Sequence, residues 1–505
     1  MLQPNENSNA GNGLKRIVWL AFTVLVVATA RCGSAGPARP QIEPLTLRVG
    51  IGQAPAGNPD AGLRAFFQNL STEGLARIAE NGKAEPRLAE GWTIAPDGLT
   101  MDIRLRPNVT FHDGTPVTAE AVVNILKSGL PQFMGPPYSD VEYIKAASGS
   151  RIEIGLKRAS PFLQEALDLQ IRKPEDQPIG TGPFQTAEQD SLNELRANDD
   201  YYLGRPTIDR IVVTNYPSVR AAWAELLRDQ IDMLYEVSAD ALESLTGATT
   251  VSVFSFTRPY QYVIVFNQKY PALQSLKIRR ALNLAIDRDA LVRDGLDGRG
   301  VPSSGPIWPQ HWALTADLPG FKFAPGEAAL EFSGVKSGRG SVALRFRCLV
   351  SPNYERLGLL VKRQLEMVGV EMEIEEATPD RVLQALSDGS FDAVFLDMVS
   401  GPSLFRTYQW WHSSGSFNPG SLGGGSIDVA LDQIRYANSD DEYRRAVAGF
   451  QRAIVDNPPG IFLAWSERAR AVSRRFEVPV EPGRDILTTL RLWRPTTDLQ
   501  YVGRN

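Results

Sequence analysis

The sequence predicts an α/β protein that carries a separate β-rich segment. Residues 342–399 read strand, helix, strand, helix, strand, and right-handed crossovers between such strands give a parallel sheet. Residues 76–179 instead mix short alternating strands with turns, which is typical of a β-rich subdomain inserted into a larger unit. The 505 residues, 43% of them hydrophobic, supply a large core for roughly two to four structural units.

Each predicted element has a local signal. Alternation of apolar and polar residues predicts strands at 45–52 and 101–107. A third strand is predicted at 207–217, where Ser218 can cap the helix that follows. The continuous apolar run "YVIVFN" (262–267) is typical of a strand buried on both faces.

The C-terminal half adds clearer helices. Apolar spacing predicts a helix at 276–287, and Asp287 can cap a second one. Gly369 closes the first helix of the βαβαβ run. A last long helix is predicted at 439–456, where Ser439 starts a capping box.

The N-terminal residues predict export. Lys15 and Arg16 precede an apolar run at 17–30, which is shorter than the ~20 residues that span a bilayer. A basic flank, a short apolar run and small residues after it are typical of a secretory signal peptide. We therefore assign residues 1–32 to a signal peptide and 33–44 to a linker.

Two forms of the exported chain remain open. Ala28-Thr29-Ala30 offers an A-x-A cleavage site, which would give a soluble protein that begins at Arg31. Cys32 lies where a bacterial lipoprotein carries its acylated cysteine. Arg31 departs from a lipobox such as Leu-Ala-Gly-Cys, so lipid anchoring is the alternative to simple secretion.

Composition and motifs exclude several function classes. The net charge of −5 is not that of a nucleic-acid-binding protein. The three histidines lie far apart in the sequence and form no metal motif. We find no G-x-S-x-G element, so the sequence predicts neither an enzyme nor a cofactor.

The stretch "TFHDGTPVTAEA" (110–121) contains a histidine beside an aspartate. Asp113-Gly114 is a turn dipeptide, and Thr118 is placed to cap the next helix. Phe111 alternates with Val109 toward the core. Because a lone His–Asp pair lacks a nucleophile, we predict that His112 and Asp113 are structural.

The same stretch carries a family resemblance. Four blocks in order are similar to the family 5 extracellular solute-binding proteins, which include the dipeptide-, oligopeptide- and nickel-binding subunits of ABC importers. The resemblance covers most of residues 46–500. The blocks are "PRLAEGW…FHDGTPVTAEAVV" (86–123), "PIGTGPF…IDRIVV" (178–213), "FNQKY…IRRALNLAIDRDALV" (266–292), and "RQLEMVGVEMEIEEA" (363–377) with "SDGSFDAVFLDM" (387–398).

This resemblance implies a type II periplasmic-binding-protein-like fold (cluster C). It consists of two α/β lobes, hinge strands and an inserted β-rich subdomain. We assign residues 45–75, 180–262 and 480–505 to lobe I, residues 76–179 to the inserted subdomain and residues 263–479 to lobe II. The segment between "SPFLQEAL" and "PIGTGPF" is shorter than in most members, which implies a trimmed subdomain.

The resemblance also implies a function. The protein would capture a small solute, a peptide or a peptide-like molecule, outside the cytoplasm and deliver it to an ABC permease and ATPase. We expect a monomer that binds no nucleic acid and meets the membrane only through the permease or a lipid anchor. Two alternatives remain, an exported enzyme with an unrecognised site and a binding protein that serves a chemoreceptor. The ligand stays open among peptides, metal chelates, oligosaccharides and other solutes.

One departure from the family concerns the ligand. In peptide-binding members, the segment that follows the strand equivalent to 391–397 is similar to G-W-x-x-D-x-x-D-P-x-x-F. An aspartate of that segment anchors the peptide ammonium. This chain reads "MVSGPSLFRTYQWWHSS". Pro402 and Phe405 match the proline and the phenylalanine of this motif, but its aspartates are absent. Asp397 is the nearest carboxylate, and we expect it on the core side of the strand end.

The replacement segment is our main candidate for ligand binding. Aromatic faces attract apolar groups and cations, and an arginine can hold a carboxylate by two hydrogen bonds. We therefore predict that the segment 405–412 favours an anionic or aromatic ligand. If the segment is extended, neighbouring side chains point in opposite directions, so one tryptophan of the Trp410–Trp411 pair should face the cleft. The candidate residues are Arg406, Tyr408, Trp410, Trp411 and His412, with Asp397 and the hinge residues Tyr260 and Tyr262.

Overall fold

The large mixed sheet of the protein positions its candidate site. The computed structural model describes residues 43–52, 59–173, 179–186, 193–315, 319–333, 344–418 and 425–496. The strands are β1 (Thr46–Gly52), β2 (Glu73–Gly74), β3 (Ala76–Ile78), β4 (Ala84–Pro86), β5 (Ala89–Ile94), β6 (Thr100–Leu105), β7 (Val141–Ser148), β8 (Arg151–Leu156), β9 (Gln170–Ile171), β10 (Phe184–Thr186), β11 (Glu194–Ala197), β12 (Arg210–Tyr216), β13 (Met233–Leu234), β14 (Val251–Phe266), β15 (Gly300–Pro302), β16 (Leu344–Val350), β17 (Val370–Glu376), β18 (Ala393–Val399), β19 (Gly460–Ser473), β20 (Phe476–Glu477) and β21 (Arg494–Pro495). The helices are α1 (Pro59–Ser71), α2 (Ala119–Met134), α3 (Phe162–Ala166), α4 (Val219–Leu227), α5 (Ala239–Thr246), α6 (Pro271–Gln274), α7 (Leu276–Leu284), α8 (Arg288–Gly295), α9 (Pro325–Ser333), α10 (Glu355–Glu366), α11 (Pro379–Asp388), α12 (Leu404–Trp411), α13 (Gly425–Arg435) and α14 (Asp440–Asp456).

Two long strands join the two halves of the large sheet. Its order is β10-β11-β12-β1-β13-β19-β14-β18-β16-β17, with β15 on β19. The first part of β14 pairs with the end of β19, which also pairs with β13. The last part of β14 pairs with β18. Strands β14 and β19 therefore run from one α/β half into the other, as hinge strands do.

The predicted βαβαβ run is confirmed. Strand β16 pairs in parallel with both β17 and β18, and helices α10 and α11 form the crossovers. On β17, Val370 and Met372 are buried while their neighbours on the other face are partly exposed. Val370 and Met372 therefore lie on the core-facing side of this strand.

The predicted β-rich segment forms a sheet of its own. Strands β5, β6, β8 and β7 pair antiparallel in that order, and α2 packs on them. Strands β2 and β9 lie near the two ends of this segment in the sequence, and they pair with each other in an antiparallel ribbon. Its apolar core is continuous with side chains of α12, α13 and α14, such as Tyr408, Leu431 and Phe450. A buried ion pair crosses the same contact, with Arg435 Nη2 2.7 Å from Asp140 Oδ2.

Several capping predictions are also confirmed. The side chains of Thr118, Ser218, Asp287 and Ser439 each accept a hydrogen bond from a backbone N–H in the first turn of the helix that follows. The strand predicted at 262–267 is longer than expected, because β14 begins at Val251. The signal peptide, Cys32 and nearly all of the linker lie outside the described residues. In the described part of the chain, none of the helices is both long and apolar enough to cross a membrane.

Candidate ligand-binding cavity

A large cavity opens where β14 and β19 pass between the two halves. Its volume is about 1310 Å³. Its walls come from β14 and β19, the ends of β2 and β18, α12 and the C-terminal turn near Arg491. Residues from both α/β halves and from the inserted segment therefore face one cavity that is partly open to solvent, which is where a solute between two lobes would lie.

A bulge in β14 shapes one wall of this cavity. The register between β14 and β19 shifts between Thr257 and Gln261, so Arg258, Pro259 and Tyr260 have no partner on β19, although Tyr260 still pairs with Val399 on β18. Pro259 has no N–H to donate, and such residues favour bulges. Its carbonyl instead accepts hydrogen bonds from the backbone of Ser400 (3.0 Å) and Gly401 (3.3 Å). The bulge is thus tied to the loop before α12.

The hinge tyrosines both line the cavity. Tyr260 is half-buried, and the Arg258 guanidinium carbon lies 4.0 Å from its ring centroid. Tyr262 is buried at 3% exposure, and its hydroxyl lies 3.5 Å from Arg468 Nη2. Burial raises the pKa of Tyr262 above its ordinary value. Both remain candidates for ligand contact.

Asp397 faces the cavity, contrary to the expectation that it would lie on the core side of its strand. It is paired with Tyr262 across β14 and β18. Its Oδ2 accepts hydrogen bonds from Arg258 (3.3 Å) and Tyr354 (3.4 Å), while its buried Oδ1 has no partner among the described residues. Burial raises the pKa of this carboxyl, and the positive charges of Arg258 and Arg468 oppose that rise.

The segment 405–412 is a helix and not an extended chain, which corrects the expectation from its sequence. Of its candidate residues, only Arg406 lines the cavity. Tyr408 is buried in the core, where its hydroxyl accepts a hydrogen bond from Arg435 (2.9 Å) and its ring stacks on His412. Trp411 is buried against Phe462.

The other aromatic residue of the pair also lies outside the cavity. Trp410 is half-buried, packs on Phe417 and donates from Nε1 to the Val399 carbonyl at 2.7 Å. In this structure Tyr408, Trp410 and Trp411 pack α12 against its neighbours, and none of the three lines the cavity. The face of α12 that meets the cavity carries Phe405 and Arg406.

A buried carboxylate holds the first turn of this helix. Glu165, at the end of α3, accepts hydrogen bonds from the Phe405 backbone (3.0 Å), the Ser403 hydroxyl and the Tyr443 hydroxyl (3.2 Å). A negative group at a helix N-terminus is favourable, since the orphan N–H groups point at it. Phe162 packs on Phe405 alongside these bonds. The inserted segment therefore fixes where Arg406 projects.

Asp168 lies just after α3 and also lines the cavity. Among the described residues its carboxylate has neither a hydrogen bond nor an ion pair, and burial raises its pKa to about 7. The positive charge of Arg406 opposes that rise. The guanidinium of Arg406 forms no ion pair within the described chain and instead lies 5.5 Å from the Phe133 ring centroid.

A second group of charges lies near the β2 end of the cavity. Glu73 Oε1 accepts hydrogen bonds from Tyr201 (2.8 Å) and Tyr202 (3.2 Å), while its buried Oε2 has no described partner. Burial raises the pKa of Glu73, and the charges of Arg87 and Arg491 lower it. Neither arginine forms an ion pair with a described carboxylate.

Other charges of the cavity are already paired. Arg470 binds Asp485, Arg356 binds Asp297 at 3.1 Å and Arg468 binds Glu236 at 3.0 Å. Glu80 differs, because its Oε1 is buried without a described partner and burial raises its pKa to about 7. The cavity wall therefore contains side chains that are ion-paired with each other. It also contains charged side chains of either sign that have no ion-pair partner among the described residues.

His112 and Asp113 lie outside the cavity. The Nε2 atom of His112 is 3.0 Å from the Gly182 carbonyl oxygen. Asp113 accepts hydrogen bonds from the backbone and hydroxyl of Thr115 and forms an ion pair with Lys173. These contacts join the turn to Lys173 and Gly182, which lie between β9 and β10 in the chain. Within the described ranges, no group of three or more His, Cys, Asp or Glu side chains could hold a metal ion.

Sequence reasoning overlooked Asp168, Glu73, Arg87 and Arg491. The available signal was weak: Asp168 is an acid within the largely apolar run "FLQEALDLQI". Such an acid is rarely buried without a partner. Glu73, Arg87 and Arg491 carry no local pattern, since only the tertiary fold brings residues so distant in sequence together.

The fold and the cavity define a class: an α/β binding protein that encloses a solute between two halves joined by hinge strands. The family model of bacterial extracellular solute-binding proteins, family 5 middle, matches residues 83–419. The oligopeptide-binding protein AppA of Bacillus subtilis is 25% identical over 473 residues, which cover 85% of this chain and 87% of AppA. The dipeptide-binding protein of Escherichia coli is 22% identical, over 75% of this chain and 81% of its own length.

Solved structures share the fold. The Bacillus subtilis AppA structure, in complex with a nonapeptide, superposes with a TM-score of 0.74 at 22% identity, covering 89% of this chain and 99% of AppA. NikZ from Campylobacter jejuni, in complex with Ni(L-His), gives a TM-score of 0.74 at 21% identity, covering 90% and 100% of the two chains. The protein belongs to the family 5 bacterial extracellular solute-binding proteins. It captures a solute outside the cytoplasm and delivers it to the permease of an ABC importer.

Proposed function

We propose that the solute is a peptide or a peptide-like molecule that carries charges of both signs, and that it binds in the cavity between β14 and β19. The observation that supports this proposal most strongly is the set of unpaired charges in the cavity wall. Asp168, Glu73 and Glu80 have carboxylate oxygens without a partner in the described part of the chain, and within those same ranges Arg406 and Arg87 form no ion pair. A buried charge is costly until an opposite charge meets it, so a ligand with both signs suits this wall.

The volume of the cavity also supports a peptide or peptide-like ligand. The cavity of about 1310 Å³ exceeds the ~300–1,000 Å³ of sites for drug-sized molecules. Relatives named for oligopeptides and dipeptides span most of the chain. The charged wall is less suited to neutral oligosaccharides, which would leave its carboxylates and guanidiniums unpaired.

A thermal-shift screen tests the ligand class. Because a solute that binds only the folded state stabilises it, we expect di- to tetrapeptides and γ-glutamyl peptides to raise the Tm. Neutral oligosaccharides and nickel–histidine are the comparison solutes. A shift with only the comparison solutes would replace the peptide proposal and leave the binding-protein class intact.

We further propose that the protein is exported through residues 1–32 and works as a monomer with a permease and an ATPase. The basic flank and apolar run of the N-terminus support export. Mass spectrometry of the exported protein should find either an N-terminus at Arg31 or a lipid-modified Cys32. Intact Met1 in that fraction would contradict cleavage. The lobe boundaries at 76–179 and 263–479 remain proposals that rest on the family resemblance.

A further inference from the structure

The bulge in β14 brings an arginine to the wall of the cavity. Arg258 lies in the stretch of β14 that has no partner on β19, and both it and Tyr260 line the cavity. Bulges re-aim side chains and are frequent beside functional sites. The carbonyl of Pro259 accepts hydrogen bonds from the backbone of Ser400 (3.0 Å) and Gly401 (3.3 Å). The bulge that carries Arg258 is therefore fixed to the residues that follow β18.

Two contacts hold the guanidinium of Arg258 in place. Its central carbon lies 4.0 Å from the centroid of the Tyr260 ring, within the range of a cation–π contact. Its Nη1 atom donates to Oδ2 of Asp397 at 3.3 Å, and the same oxygen accepts a hydrogen bond from Tyr354 at 3.4 Å. The side chain of Asp397 is 8% exposed, whereas that of Arg258 is 23% exposed. A buried acid therefore holds an arginine that keeps part of its surface accessible.

Most of the hydrogen-bond donors of Arg258 are not used by the protein. A guanidinium carries five N–H groups in a planar fork. Within the residues that the structure describes, Arg258 makes a single hydrogen bond, the one to Asp397. The other N–H groups are left for an acceptor that enters the cavity. The planar fork of an arginine matches the two oxygens of a carboxylate.

A second arginine adds positive charge to the same wall. Arg468 on β19 lines the cavity, and its Nη2 atom lies 3.5 Å from the hydroxyl of Tyr262. Tyr262 is the cross-strand partner of Asp397, which receives the hydrogen bond from Arg258. Glu236 pairs with Arg468 at 3.0 Å, but its side chain is 50% exposed and solvent screens such a pair. Two guanidiniums beside one buried acid favour an anionic group of the ligand here.

We propose that Arg258 forms a carboxylate subsite of the cavity, with the ring of Tyr260 as its platform and Asp397 as the buried acid that orients it. The carboxylate accepts two parallel hydrogen bonds from the N–H groups that Asp397 leaves unused. This inference rests on the proposed peptide-like ligand and narrows it to ligands whose carboxylate reaches the hinge strand. Either the C-terminus of a peptide or an acidic side chain supplies such a group.

Calorimetry with three tripeptides tests the subsite. The probes are Ala-Glu-Ala, its C-terminal amide and Ala-Gln-Ala, so that each of the last two lacks one carboxylate. We expect the wild type to bind Ala-Glu-Ala at least about tenfold more tightly than one of the two neutralised probes, because that probe leaves the guanidinium without its charged acceptor. A preference over the amide identifies the C-terminus as the bound group, and a preference over Ala-Gln-Ala identifies the side chain.

Variants of the bulge assign the preference to Arg258. Arg258→Gln should abolish it, and the ratio of the two affinities is the readout because the variant also removes a partner of Asp397. Tyr260→Leu keeps the ion pair but removes the ring, so it should reduce the preference, and Tyr260→Phe should restore it. Arg151→Gln makes the same chemical change in an exposed ion pair on β8, outside the cavity, and should keep the preference.

The outcomes separate this inference from the proposed function. If the three tripeptides bind the wild type equally, or if Arg258→Gln weakens all of them by one factor, the carboxylate subsite is wrong and the peptide ligand stands. If the preference survives in Arg258→Gln, another residue binds the carboxylate and the subsite is refuted. If no peptide binds, both proposals fail.

Discussion

At the scale of the residue, the carboxyl of Asp168 in the cavity wall links the charge of the site to the stability of the protein. Asp168 has a carboxyl pKa of about 7 in the folded protein because burial penalises its charge. In the unfolded chain its pKa returns to the ordinary value near 4. The folded state therefore holds this proton more tightly, and the group lowers stability progressively as pH rises from about 4 to about 7.

We expect Asp168→Asn to stabilise the empty protein. The gain should be about 1–3 kcal/mol near pH 8, where the wild-type carboxylate is ionised, and smaller near pH 5, where it is protonated. Urea unfolding at the two pH values measures this difference. The charge of Arg406 on α12 bears on Asp168, whereas Asp102 lies on the separate four-stranded sheet, so Asp102→Asn is the control. A loss of stability near pH 8 would mean that Asp168 has a partner in the empty protein.

Part of the cavity wall could be predicted from the sequence alone. Arg406, Asp397, Tyr260 and Tyr262 were candidates from the sequence, and all four line the cavity. Whether they contact the ligand stays a prediction. Asp168 could not be found in this way, because its burial and the charge of Arg406 that acts on it depend on elements more than two hundred residues apart in the chain.

At the scale of the element, α12 shows where local reasoning fails. Its residues "LFRTYQWW" include several aromatic residues, which favour strands as readily as helices. The segment is helical in a tertiary setting where Glu165 binds its first turn and Tyr408 and Trp411 pack in the core. Elements with periodic apolar spacing, such as α14, were predicted correctly, since one face of each meets the core.

The two tryptophans of α12 should therefore differ in stability and not in affinity. Trp411 is 1% exposed against Phe462, so Trp411→Ala should lower the free energy of unfolding by about 3–5 kcal/mol. Trp410→Ala loses a half-buried ring and one hydrogen bond, and we expect a smaller loss. Chemical denaturation gives the stabilities, and calorimetry on the folded variants gives the affinities. A selective loss of affinity in Trp411→Ala, with stability unchanged, would show that its ring reaches the ligand.

At the scale of the whole molecule, the sequence predicted the fold class and the structure adds how its parts meet. The parallel run at 342–399 and the separate β-rich sheet both follow from patterning within one segment. The continuity of the large sheet through β14 and β19 does not, because it depends on pairing between strands about two hundred residues apart. These two strands place the cavity at the point about which the halves can move.

The central claim is that this cavity encloses the transported solute. A crystal structure of the protein with the peptide-like solute that gives the largest thermal shift tests it most directly. We expect the solute in the space of about 1310 Å³ beside β14 and β19, within hydrogen-bond distance of Arg406 and in contact with residues of both halves. A solute bound on the outer surface, with this cavity filled only by water, would contradict the claim.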